Sequence, residues 1–241
     1  MECLDIFPVL MFSMQKEETG IVFHETVINL LMTGGGTTLY NLLTITLCAL
    51  PCAGTYCDDS ENHFITNIVS RKSYSGYSVA SVSACAVSSF LCMVLGEFLF
   101  ILILLCIVPV HYEDTSIYIG SWKTLEEGKY GLYILYMVLL RGMRGAFFAI
   151  ISFVASAFIR NKFFIYAMPS IVYYFLLYIL TDISVWTGWD ILRRFNIANV
   201  YFTFQLGLDR ELESLGLTLL YTIVTGILGW LIFDRRIRRL A

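Results

Sequence analysis

Few residues in this 241-residue chain could do chemistry, and they do not converge on one another. The cysteines are Cys3, Cys48, Cys52, Cys57, Cys85, Cys92 and Cys106. A thiolate can serve as a nucleophile or a soft-metal ligand. All of them except Cys3 and Cys57 sit in apolar runs, however, where a thiol behaves as a small hydrophobe. Cys48 and Cys52 share a face at i and i+4, but no histidine stands at ligand spacing, so packing is expected rather than a metal site. His24, His63 and His111 lie scattered in the connections between apolar runs and form no acid–base or metal constellation. The chain has no Walker pattern, dinucleotide glycine fingerprint, HExxH or GxSxG. Gly34-Gly35-Gly36 lacks the lysine and preceding strand of a phosphate loop and reads as a flexible entry to a helix. These residues point to no catalytic group, no cofactor and no metal, and hence to a chain that is not itself an enzyme.

Three charged residues stand out by position. Glu97, Arg141 and Arg144 lie inside long apolar runs. A charge at a bilayer centre costs at least about 2.5 to 3.5 kcal/mol, so such side chains face protein or water. Arg144 lies about 21 Å from the start of its run at Tyr130, and Glu97 about 20 Å from the end of its run at Val110, at about 1.5 Å per helical residue. Arg141 is nearly one turn from Arg144 on the same face. Glu97 is therefore expected to pair with Arg144 or Arg141. The plain reading of this pair is a buried ion pair that fixes helix register; the functional one is the polar lining of a path, or a latch. Gly142, Gly145 and Ala146 beside the arginines allow close approach, either to another span or to another subunit.

The elements that must hold these residues follow from composition. The chain is 58% hydrophobic and 15% charged, with a mean hydropathy of +0.73. Soluble domains are nearer half apolar and a quarter charged, so a soluble enzyme or a disordered chain is a poor fit. A net charge of −3 offers no basic field for phosphate, which argues against nucleic acid as a partner. The expected fold is an all-α, polytopic membrane helix bundle in contact with the lipid bilayer. Since a span needs about 20 apolar residues, five are expected, near residues 38–54, 79–110, 130–159, 163–180 and 215–233. The alternating ten-residue strands of a membrane barrel are absent. Residues 1–36 read as an outer-side N-terminal segment and 37–241 as one transmembrane domain.

Orientation follows from the basic residues. Arg71, Lys72, Arg160, Lys162, Arg235, Arg236, Arg238 and Arg239 fall on one side, in short connections. The other side has longer loops, sparser basic residues and 14 of the 19 acidic ones. The first side is thus expected to be cytoplasmic, with the C-terminus inside and the protein multi-pass in the cell membrane. Only Cys3 is then clearly external, so no outer-side disulfide is expected within the chain. The first span would run outside to inside, which leaves residues 1–36 external with no basic signal segment to carry them across. One inside-to-outside helix before Met1 is the preferred explanation, and a true five-span protein the other.

The connection between the first two spans reads TYCDDSENHFITNIVSRKSY, from Thr55 to Tyr74. Asp58, Asp59 or Ser60 is expected to cap a helix start. Phe64, Ile65, Ile68 and Val69 form an apolar stripe at helical spacing, followed by Arg71 and Lys72 where cations suit the helix end. Such a helix either rests on lipid or docks as a knob into a partner's groove.

The stretches TTLYNLLTITLCALPCAGTYCDD and FITNIVSRKSYSGY, with the tight basic turn in SAFIRNKFFIYAMPSIVYY (156–174), resemble the permease subunits of type-2 ATP-binding-cassette transporters of Gram-positive bacteria. The likeness covers most of the chain from Gly34 onward. It implies that Asp58 to Tyr74 form a coupling helix, which receives the motion of a cytosolic ATP-binding subunit. It also implies a missing first span of six, and a second permease copy or a sister permease as partner. His63 and Ser81 stand where the family often has glycine and lysine. The aromatic outer segment 181–214, with Trp186, Trp189 and Phe195, would by the same resemblance form short re-entrant helices; on its residues alone it is an interfacial belt. The function implied is that of the permease subunit of an ATP-driven exporter. The alternative is a non-catalytic membrane sensor or assembly protein.

Overall fold

A computed structural model describes residues 38–62, 64, 73–107, 129–159, 161–187 and 211–240. Every regular element among them is helical, and no strand is present among the described residues. The elements are α1 (Thr38–Ala53), α2 (Thr55–Glu61), α3 (Tyr74–Ile107), α4 (Tyr130–Ser156), α5 (Lys162–Tyr174), a π-helical turn (Phe175–Ile179), α6 (Leu180–Thr187) and α7 (Glu211–Leu240). Three helices, spanning Tyr74–Cys106, Tyr130–Ser156 and Leu215–Arg238, are long and apolar enough to cross a membrane. The other two expected spans are shorter α-helices. α1 has 16 residues, and the run from Lys162 is interrupted after 13 by the π-helical turn.

α4 is the central helix and packs on α1, α3, α5 and α7. Its mid-section is buried nearly all round, with Leu140, Phe147, Phe148, Ile150 and Phe153 each at most 3% exposed. α3 and α7 are apolar on their outer faces too: Leu91, Leu95, Leu99, Leu220, Ile227 and Leu228 are all exposed, the pattern of helices that meet lipid. In lipid there is little hydrophobic drive between helices, so close packing and interhelical hydrogen bonds must hold them. The glycines of α4 serve the first need. A Cβ on Gly142 would meet Phe90 and Val94 of α3 at 2.7 Å, and one on Gly145 would meet Met93 at 3.2 Å. The small face thus packs within the chain. Hydroxyls serve the second need: Thr46 of α1 and Ser170 of α5 are 2.6 Å apart.

Pro169 lies inside α5 and has no N–H to give to the carbonyl of Ile165, one turn earlier. Ser152 of α4 donates its hydroxyl to that same carbonyl at 2.5 Å. The freed backbone acceptor is thereby satisfied by a neighbouring helix, and α5 is fastened to α4.

The aromatic core at the end of the bundle carrying Arg235, Arg236 and Arg238 gathers four elements. Tyr56 of α2 meets Phe233 of α7 edge to face at 5.0 Å, and Phe153 of α4 lies 4.7 Å from the same ring. Tyr77 of α3 stacks on it at 6.5 Å.

Candidate functional site

Two places hold polar groups in an arrangement that apolar packing does not require. The first is a charge layer deep in the bundle. Arg141 Nη1 of α4 donates to Glu97 Oε2 of α3 at 2.7 Å, and both side chains are buried, at 4% and 3% exposure. The ion pair therefore forms with Arg141. Arg144, 1% exposed, instead donates from Nη1 to Oδ1 of Asn41 on α1. The two guanidinium groups are three residues apart on one helix face, so they point into two different interfaces, and α4 is bolted to α3 and to α1 at one depth. Thr218 of α7 contacts Met143 Sδ at 3.4 Å beside this layer. Chemically the layer can hold charge and donate hydrogen bonds. Asn41 was not singled out from the sequence. The available signal was a primary amide inside an apolar run, which in lipid must find a partner as surely as a charge does.

The second place is α2 at the basic end. Asp58, Asp59 and Ser60, expected to start the helix that carries Phe64 to Val69, lie instead in the body of α2, and most of that expected helix lies outside the described residues. α2 begins at Thr55, and its N-cap is Gly54 without a side-chain bond. The reason is local. Gly54 lets Tyr166 of α5 press its hydroxyl against the backbone where a Cβ would stand, and the chain resumes its helix at once, with Asp58 N–H bonded to Gly54 O at 3.2 Å. The acids are thereby free to bond sideways. Asp58 and Glu61 accept from Lys162 Nζ of α5 at 2.5 and 3.3 Å. Asp59 accepts from the Tyr77 hydroxyl of α3 at 2.8 Å. Cys57, buried, directs its thiol at the carbonyls of Ser156 and Ile159 at the end of α4. The two carboxylates raise the Lys162 pKa above its ordinary value, Asp58 most, through hydrogen bonds to the charged form.

Of the proposed coupling residues, Phe64 is 56% exposed and Tyr74 opens α3, half-buried against the aromatic core. Ile65, Ile68, Val69, Arg71 and Lys72 lie outside the described residues, as do residues 1–36, Trp189 and Phe195. Trp186 is 90% exposed at the end of α6.

No family model, curated protein or solved structure matches this chain.

The buried cysteines occupy helix interfaces. Cys48 Sγ lies 3.3 Å from Met93 Sδ, and Cys52 Sγ lies 3.2 Å from the hydroxyls of both Ser88 and Ser89, across the α1–α3 contact. Among the described residues no group of three or more His, Cys, Asp or Glu side chains could hold a metal ion.

Proposed function

We propose that this chain is the transmembrane permease subunit of an ATP-driven exporter. In this reading it crosses the cell membrane several times with its C-terminus in the cytoplasm, and acts with a separate cytosolic ATP-binding subunit and a second copy or a sister permease. The observation that supports it is the way α2 is tied into the bundle. A seven-residue helix at the basic end contacts α3 through Asp59 and Tyr77, α4 through Cys57, α5 through Lys162, and α7 through Tyr56 and Phe233. A push on α2 would therefore be felt by four helices at once. Phe64, just beyond it, presents an exposed aromatic side chain of the kind that fills a partner's groove.

The test is affinity purification of the full chain from its native membranes in mild detergent, followed by ATPase and transport measurements on the complex. A stoichiometric companion with a Walker motif is expected. Phe64→Asp should leave insertion intact and abolish coupling to the ATPase. Normal transport by that variant would remove the role given to Phe64. Full activity with no nucleotide-hydrolysing companion would refute the permease reading in favour of a sensor or assembly protein.

A further inference from the structure

The charged end of α7 carries arginines that the transport reading does not use. The apolar stretch Leu215–Phe233 covers about 28 Å at about 1.5 Å per residue, close to the thickness of a bilayer's hydrocarbon core. Arg235, Arg236 and Arg238 follow within the next turn and a half of the same helix, which runs on to Leu240. They therefore stand about 3 to 8 Å beyond the hydrocarbon edge, at headgroup depth. Arg235 and Arg238 are exposed and Arg236 is half-buried.

These arginines differ in how they are held. Arg238 is bound to Asp234 of its own helix at 2.9 Å, and Asp234, 9% exposed, also accepts from Ser78 of α3. Arg236 donates its Nε to the carbonyl of Ala157, just past the end of α4, at 3.4 Å, and its guanidinium carbon lies 5.3 Å from the centre of the Phe158 ring. A guanidinium fixed through Nε and over a ring keeps its terminal nitrogens for another acceptor. That Phe158 ring is 55% exposed, and Phe163 and Phe164, 74% and 52% exposed, open α5 at the same end of the bundle. The acids at this end are engaged elsewhere: Asp234 with Ser78 and Arg238, Asp59 with Tyr77, and Asp58 and Glu61 with Lys162.

We infer that Arg235 and Arg236, with the exposed Phe158 ring against Arg236, bind the headgroup of an anionic phospholipid. A positioned guanidinium next to a second exposed arginine suits a phosphate with a net negative charge, and the exposed Phe158 ring against Arg236 suits the acyl chains just below it. The complementarity is to a lipid rather than to a soluble anion, because the cationic and apolar parts adjoin each other at the depth where headgroup and chain meet.

The full chain is reconstituted in phosphatidylcholine vesicles. Spin-labelled phosphatidylglycerol and phosphatidylcholine are then compared by the fraction motionally restricted at the protein. A several-fold preference for phosphatidylglycerol is expected at low ionic strength. Arg235→Gln and Arg236→Gln should each lower it by up to about fivefold. Arg236→Lys keeps the charge but loses the planar donor fork, and should retain most of the preference. Arg235→Gln changes only an exposed side chain, so its result does not depend on the fold surviving loss of the Ala157 contact. No preference in the native chain, or full preference in the Arg235→Gln/Arg236→Gln chain, overturns the inference. Displacement by inorganic phosphate beyond that caused by chloride at equal ionic strength would also overturn it, by showing a site for free phosphate.

Discussion

Leucine in place of Glu97, alone and together with leucine in place of Arg141, separates a register pin from a group that merely tolerates burial. Glu97 and Arg141 meet at 2.7 Å with almost no solvent contact, so neither charge has water to fall back on. Removing one member of such a pair leaves an uncompensated buried charge and costs about 3 to 5 kcal/mol. Removing both eliminates two desolvated charges, each of which costs at least about 2.5 kcal/mol at a helix centre, and replaces them with side chains the surroundings accept. The double variant should therefore be about as stable as the native chain, or more so. Glu97→Leu and Arg141→Leu should each be less stable than the double. The assay is reversible unfolding of the full chain in mixed micelles of mild and denaturing detergent, followed by loss of helicity. The diagnostic is rescue of one substitution by the other. If Glu97→Leu costs less than about 1 kcal/mol, the pair behaves like a solvated surface bridge and its burial has been misread. If the double variant is less stable than both singles, the two side chains act separately.

Two further outcomes follow from particular contacts. Ser152→Ala should cost about 1 to 3 kcal/mol in the same unfolding assay, because it leaves the Ile165 carbonyl without its donor. In a Pro169→Ala background, where a backbone N–H is restored to that carbonyl, the cost should fall below about 1 kcal/mol; equal costs in both backgrounds would show that the hydroxyl does not replace the missing helix bond. Lys162 supplies a pH dependence with a definite sign. Its folded pKa lies above the ordinary 10.5, so its ion pairs with Asp58 and Glu61 are intact below that pH and are lost as pH rises through the elevated value. Thermal unfolding scans should show the native chain losing stability above pH 10.5 more steeply than Lys162→Gln, and parallel curves would remove Lys162 from the α2 anchor.

How much of this was legible in the sequence depends on which physical term decided each feature. The helices over residues 74–107, 130–156 and 211–240 follow from long, mainly apolar stretches, a quantity that needs no partner to be read. The meeting of Glu97 with an arginine followed from depth alone, since Glu97 and the turn from Arg141 to Arg144 lie about 16 to 21 Å from the same edge. Which arginine it takes did not follow, because that turns on the rotation of α4 against α1 and α3. Gly142 sets how closely α3 approaches, and Asn41 supplies the second acceptor that draws Arg144 away. Rotation of this kind is a property of three helices jointly, and no single run contains it. The same holds for the interrupted fourth run. Pro169 marks a lost bond in the sequence, but whether the freed carbonyl breaks the helix or is met from outside depends on Ser152, seventeen residues earlier in another helix.

The placement of Asp58, Asp59 and Ser60 inside α2 shows the limit most sharply. A run of Asp58, Asp59 and Ser60 after a glycine has every local mark of a helix cap, and in water it would act as one. Here Gly54 does not end a helix so much as admit Tyr166 against the backbone, so α2 resumes directly and turns its acids toward Lys162 and Tyr77. The tertiary contact overrides the local propensity, and two of the would-be capping groups, Asp58 and Asp59, become ties that bind α2 to α5 and α3. Bound as they are, any displacement of α2 must either drag α3 and α5 with it or break those ties.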